Sequence, residues 1–455
     1  GRTACAVQTD TRCRSRACLV LDVLANRTYR HLFLAQVIAL LGTGLCTVAL
    51  GLLAYDIAGS DAGAVLGTAL AIKMVAYVGI APVATAFAEQ LPRRALLVGL
   101  DLVRAAVALC LPFVTQVWQI YLLIFVLQAA SAAFTPTFQA TIPEVLPNEK
   151  DYTRALSLSR LAYDTESLVS PLLAAALLTV ISFHNLFAGT VVGFLASAAL
   201  VASVVLPAAM KSERRGIFER TTQGMRIYLA TPRLRGLLAL NLAVAAAGAM
   251  VIVNTVVLVQ SRFGLNQGAT AIALAAFGAG SMLSALVLPK FLDRVSDRTV
   301  MLAGAVALTA GLFFGVLVTG FIALLPLWLL LGVGYSLAQT PSGRLLRRSA
   351  QPENRPALFA AQFALSHAAW LVTYPLAGWV GSRGGVDFTF ALLGLVAAFA
   401  CAATILLWPG EDPEALEHEH ASLDFTHPHL AGANGRRHVH PFLIDRHHAE
   451  WPTSG

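Results

Sequence analysis

The sequence predicts an all-α membrane protein with twelve transmembrane helices in two pseudo-symmetric six-helix bundles. Three observations carry this expectation: too little charge, apolar runs of about 20 residues along nearly the whole chain, and an internal repeat spaced by about 204 residues. Of 455 residues, 57% are hydrophobic and 13% charged, and the mean hydropathy is +0.70. A soluble globular chain carries about 25% charged residues, so a soluble enzyme is excluded.

Hydropathy places the spans at 31–54, 64–88, 95–114, 118–141, 155–181, 184–208, 234–260, 268–290, 299–319, 322–343, 356–380 and 387–408. A helix of about 20 residues at 1.5 Å per residue crosses a hydrocarbon core about 30 Å thick. Connections after the odd-numbered spans hold only Arg262 and Arg383 as basic residues, whereas the others carry Arg93 and Arg94, Lys150 and Arg154, Lys290, Arg294 and Arg298, or Arg344, Arg347, Arg348 and Arg355. The positive-inside rule then puts both termini in the cytoplasm. The expected organisation is an N-terminal tail over 1–30, bundles over 31–208 and 234–408, a basic linker over 209–233, and a disordered cytoplasmic tail over 409–455.

Residues 1–22 are polar and Arg-rich with no apolar stretch before a cleavage site, which reads as a tail or a mis-set start and not as a signal peptide. The net charge of +7 suits an anionic membrane face, and no basic stripe with interleaved aromatics points to nucleic acid. Six cysteines, three in the tail and three in spans, form no disulfide framework.

The repeat is visible in three places. Glu89-Gln-Leu-Pro-Arg-Arg94 is matched by Asp293-Arg-Val-Ser-Asp-Arg298, Thr135-Pro136 by Thr340-Pro341, and Leu168-Val169-x-Pro171 loosely by Leu371-Val372-x-x-Pro375. A duplicated six-helix unit is the plan of a secondary transporter with its site between the halves. On these residues the chain resembles the major facilitator superfamily. That family's signature after the second span is Gly-x-x-x-Asp-Arg-x-Gly-Arg-Arg; Thr85-Ala-Phe-Ala-Glu89-Gln90-Leu-Pro92-Arg93-Arg94 keeps the acid and both final arginines. Thr85, Gln90 and Pro92 depart from it, as does Pro289 in the second copy. Ser170-Pro171 with its following alanines is similar to a degenerate antiporter motif.

Ionisable groups inside a bilayer are costly, so each is a functional candidate. Lys73, Asp164, Glu166 and His367 all fall near the midplane by their depth along spans two, five and eleven. The resemblance implies that these spans meet between the halves, with Gln128, Asn241 and Asn254 adding polar contacts from spans four and seven. The alternative reading pairs Lys73 with one carboxylate structurally and makes His367 an interhelical hydrogen-bonder. Asp101 and Arg104, three apart, share a helical face and are expected to neutralise each other, as a structural or gating pair. The resemblance also implies a gate formed by Glu89, Arg93 and Arg94 with Asp293, Arg294 and Arg298, whose alternative is loop charge that only sets topology.

Eight of the eleven histidines lie in the last 38 residues: His418, His420, His427, His429, His438, His440, His447 and His448. Imidazole suits Ni, Co, Zn or Cu, and the dispersed His-x-His units read as a loose chelating tail. With this tail the chain is similar to the nickel-resistance exporters of the superfamily. The expectation is therefore a proton-coupled exporter of divalent nickel or cobalt from the cytoplasm by alternating access. It would be a monomer in a prokaryotic inner membrane, with lipid, protons and a small substrate as partners and no resident cofactor. The alternatives are efflux of an amphiphilic drug, macrolide or siderophore, and a metal-sensing receptor without flux. A polytopic acyltransferase is disfavoured, because no nucleophile–base pair is in view and it leaves the repeat unexplained; the chain is not expected to be an enzyme.

Overall fold

A computed structural model describes residues 22–88, 92–207, 217–288, 294–351, 354–412, 415–419, 437–444, 448 and 451. The membrane-length helices are α1 (Arg27–Ala58), α2 (Ala62–Ala88), α3 (Arg93–Cys110), α4 (Val117–Val145), α5 (Glu149–Leu177) and α6 (Phe183–Ala202) in the first half. A short α7 (Ile217–Ala230) precedes α8 (Pro232–Val256), α9 (Gln267–Val287), α10 (Asp297–Gly315), α11 (Phe321–Gln339), the short α12 (Ser342–Arg348) and α13 (Arg355–Leu407). Helix is the expected outcome in hydrocarbon, because only a helix or a closed barrel satisfies every main-chain N–H and C=O without water.

Nine stretches of the described residues are long and apolar enough to cross a membrane, and two of them, Arg27–Gly79 and Ala357–Leu407, run to 53 and 51 residues. The second is broken at Gly385, whose φ of 81° and ψ of 166° end one helix and begin the next. A side chain is strained at such a φ, which is why glycine stands there. α5 is not among the nine, since Asp151, Arg154, Asp164 and Glu166 lower its hydropathy.

The chain divides into two compact units. One holds Gly1–Ala49 with Gly79–Lys211, and the other holds Leu50–Val78 with Ser212–Gly455. In the first, Gly42 on α1 lets α6 close in: a Cβ there would lie 3.3 Å from the Thr190 carbonyl, and the Thr190 hydroxyl donates back to the Gly42 carbonyl at 2.8 Å. Gly44 faces Ser170 of α5 so closely that an added Cβ would be 2.2 Å from the Ser170 Cβ. Apolar surface gains nothing by leaving lipid, so small residues that admit close backbone contact drive such packing.

The second unit uses the same device. Gly63 and Gly67 of α2 meet Gly378 and Tyr374 of α13, with a Cβ on Gly67 falling 2.5 Å from the Tyr374 carbonyl and one on Gly378 falling 2.2 Å from the Gly63 carbonyl. The Trp379 indole N–H donates to the Thr68 hydroxyl at 3.0 Å across this seam. In the expected linker, α7 packs against the start of α13: Gln223 bonds Asn354 at 2.9 Å, and the buried Tyr228 hydroxyl donates to Gln362. Burial holds the Tyr228 phenol well above its ordinary range.

Two segments of the expected tail are strands. β1 (Ala415–Glu419) pairs antiparallel with β2 (Arg437–Pro441), with Leu416 opposite His440 and His418 opposite His438. Pairing satisfies main-chain groups that an isolated polar segment leaves to water. Beyond β2, Phe442 and Ile444 are buried, and the Phe442 ring meets His448 and Trp451 at 4.5 and 5.0 Å.

Candidate functional site

In the first unit a polar network runs through apolar helices. Asp101 on α3 is fully buried and pairs with Arg104 one turn on, while Ser197 of α6 donates to its other oxygen at 2.7 Å. The Arg104 guanidinium lies 4.1 Å from the Phe134 ring centroid and 4.6 Å from that of Phe194, so aromatic faces replace water around the cation. Tyr163 of α5 lies near Gln36 of α1 and Thr135 of α4, within electrostatic reach of Arg104 and Glu166. Ser159 also donates to Gln36, at 3.0 Å. Glu166, half-buried on α5, sits against α1 beside the space that Gly44 leaves open.

Gln36, Tyr163 and Ser197 were not singled out in the sequence, and Thr135 only as a landmark of the repeat. Neutral polar residues are common in spans, and only their placement next to other helices distinguishes these four. Gln128 is buried on α4. The side chain of Asp164 lies outside the described residues, as do Glu89, Asp293, His420, His427, His429 and His447 and the side chains of His418, His438 and His440.

In the second unit His367 of α13 stacks on Phe363 at 3.9 Å and on Tyr77 of α2 at 5.8 Å. Its Nδ1 lies 2.7 Å from the Phe363 carbonyl, which makes Nδ1 the donor. Lys73, one turn before Tyr77, acts on the ring with its charge. Asn254 of α8 is buried and donates to the Ala377 carbonyl at 3.1 Å, while its Oδ1 fills the space between Gly63 and Gly381. Asn241 accepts from Gln339 at 3.4 Å. Among the described residues no three His, Cys, Asp or Glu side chains converge as a metal site requires.

The arginines at the helix ends take partners that sequence spacing did not indicate. Arg93 pairs with Glu144 at the end of α4, and Arg94 reaches the Ala202 carbonyl at the end of α6. In the second unit Asp297 pairs with Arg344, whereas Arg298 donates to the Trp408 carbonyl at 2.9 Å and Arg294 is exposed. Offset by 204, Arg93 corresponds to Asp297 and Arg94 to Arg298, and each of the first two forms an ion pair, with the signs exchanged; the partners do not keep the offset, since Glu144 falls on Arg348, which pairs with Asp412, and Asp297 takes Arg344 one turn earlier.

Asp412 gathers the end of the last span. Its carboxylate accepts from Arg233 at 2.8 Å, from Arg348, and from the Trp408 indole at 3.2 Å. Arg233 is itself buried, donates to Ser349 at 2.9 Å, and lies under the Trp451 ring at 5.0 Å.

The sequence model described as Major Facilitator Superfamily matches residues 32–294 and again 238–443. The chain belongs to that superfamily. Within it, the chain is similar to the uncharacterized MFS-type transporter YvqJ of Bacillus subtilis strain 168, at 24% identity over 410 residues, covering 85% of this chain and 93% of that protein. It is also similar to macrolide efflux protein A of Streptococcus pyogenes, at 26% identity over 152 residues, covering 31% of this chain and 37% of that protein. The solved fold of a bacterial homolog to the human lysosomal transporter Spinster, inward-facing and occupied, matches with a TM-score of 0.65 at 12% identity over 83% of this chain and 96% of that one. A D-xylose-proton symporter matches with a TM-score of 0.61 at 13% identity, covering 86% and 98%. The chain is thus a multi-pass membrane transporter of the major facilitator kind.

Proposed function

We propose that this facilitator is a proton-coupled exporter of an amphiphilic organic compound, crossing a prokaryotic inner membrane twelve times with both termini cytoplasmic. One observation carries the coupling: Glu166 is a half-buried carboxylate on the membrane-length helix α5, beside Gly44 of α1 and within electrostatic reach of Tyr163. A proton acceptor in a bundle needs such a group, stabilised enough to ionise yet shielded enough to protonate. The macrolide efflux relative supports an organic substrate, as does the aromatic setting of His367, which stacks on Phe363 and Tyr77 beside the cationic Lys73. Such aromatic surroundings suit an apolar and aromatic compound better than a bare divalent cation.

Reconstituted protein with an imposed proton gradient tests this. Glu166→Gln should abolish gradient-driven export of a macrolide or dye while leaving counterflow exchange in place; unchanged driven export in the variant refutes the assignment. The second reading, export of nickel or cobalt, is supported by the eight tail histidines. It requires metal-stimulated flux in the same vesicles that falls when all eight are replaced by alanine.

A further inference from the structure

At the break in α13 lies a groove of about 560 Å³ lined by Val372, Pro375, Leu376, Trp379 and Phe388, with Arg383 at one end. Its walls are set in advance: the Trp379 indole is held by Thr68, and Phe388 turns back under Gly384, where an added Cβ would be 2.9 Å from the ring. Val372, Trp379 and Phe388 are exposed apolar side chains on a stretch long and apolar enough to cross a membrane, the surface that acyl chains cover. Arg383 stands two residues before the Gly385 break, at the end of its span. Val372 lies eleven residues earlier, about 16 Å along a helix, which is about half of a 30 Å hydrocarbon core. The groove therefore runs from headgroup depth toward the midplane.

The connections on this side of the sequence contain two basic residues, Arg262 and Arg383. Arg262 is engaged by Asp387. Arg383 makes no ion pair among the described residues, is exposed, and is the one charged residue lining the groove. We propose that the groove binds one anionic phospholipid, with its phosphate on Arg383 and one acyl chain laid along Val372, Leu376, Trp379 and Phe388.

Full-length protein retained in detergent with equal phosphatidylglycerol and phosphatidylcholine of the same chains, read by native mass spectrometry and thermal unfolding, provides the test. Wild type should retain phosphatidylglycerol over phosphatidylcholine by about fivefold, the contribution of one basic residue at an anionic surface. Arg383→Gln should erase the preference, Arg383→Lys should keep most of it, and Trp379→Ala should weaken retention of both lipids. An undiminished preference in Arg383→Gln protein that elutes and unfolds like wild type overturns the proposal. So does equal protection by inorganic phosphate alone, which would mark an anion site without a lipid.

Discussion

Arg298 donates from Nε to the main-chain carbonyl of Trp408 at 2.9 Å, closing the first turn of α10 onto the end of the last span. The repeat places Arg94 in the same role on Ala202. Last-turn carbonyls have no helical partner, and a guanidinium supplies one together with favourable charge. Arg298→Ala should lower stability by about 1 kcal/mol, the net value of a partly exposed charged hydrogen bond, measured as a drop in unfolding temperature in detergent.

The exchanged signs of the neighbouring ion pair give a stricter test. Arg93 and Glu144 are each about a tenth exposed, so Arg93→Asp alone should cost about 3 kcal/mol by leaving two acids together. Adding Glu144→Arg recreates the arrangement of Asp297 with Arg344 and should restore most of the loss and the transport rate. If the double variant stays as unstable as the single one, the two pairs are not equivalent.

Asp101→Asn removes the charge that neutralises a buried Arg104 and should destabilise the first unit by about 3 kcal/mol or more. Asp101→Ala with Arg104→Leu, which removes both charges, should recover part of that loss. Thermal unfolding of the three proteins compares them directly.

Gly67→Leu drives a side chain into the Tyr374 carbonyl and should cost about 1–3 kcal/mol through overpacking, with transport reduced. Gly79→Ala on the same helix meets nothing within 4 Å and should leave both stability and flux unchanged. Equal effects of the two would show that the seam does not constrain the helix.

Truncation after Asp412 keeps the carboxylate that joins Arg233, Arg348 and Trp408, and should preserve insertion and flux. Truncation after Trp408 leaves a buried arginine without its counter-ion and should lower yield and unfolding temperature well beyond the first cut. Fluorescence-detected size-exclusion of both truncations reads the difference.

The amino-acid sequence by itself determined that this chain is helical and membrane-embedded, and that it is built from a repeat. Each of those properties is local or periodic: hydropathy over a 20-residue window forces a helix because lipid cannot hydrogen-bond the backbone. It also determined the Asp101–Arg104 pair, since residues three apart on a helix share a face whatever surrounds them. Only the tertiary structure decided partners that lie far apart in the chain. Arg93 meets Glu144 across 51 residues, Asp297 meets Arg344 across 47, and Arg233 meets Asp412 across 179. Ser159 meets Gln36 across 123 residues for the same reason. The rotation of each helix about its own axis is set by where glycines such as Gly42, Gly44 and Gly67 let a neighbour approach, and that rotation selects which polar side chains face inward together. The tail followed the same rule: its polar composition read as unstructured, yet pairing of Ala415–Glu419 with Arg437–Pro441 depends on a contact between segments some twenty residues apart, which composition does not register.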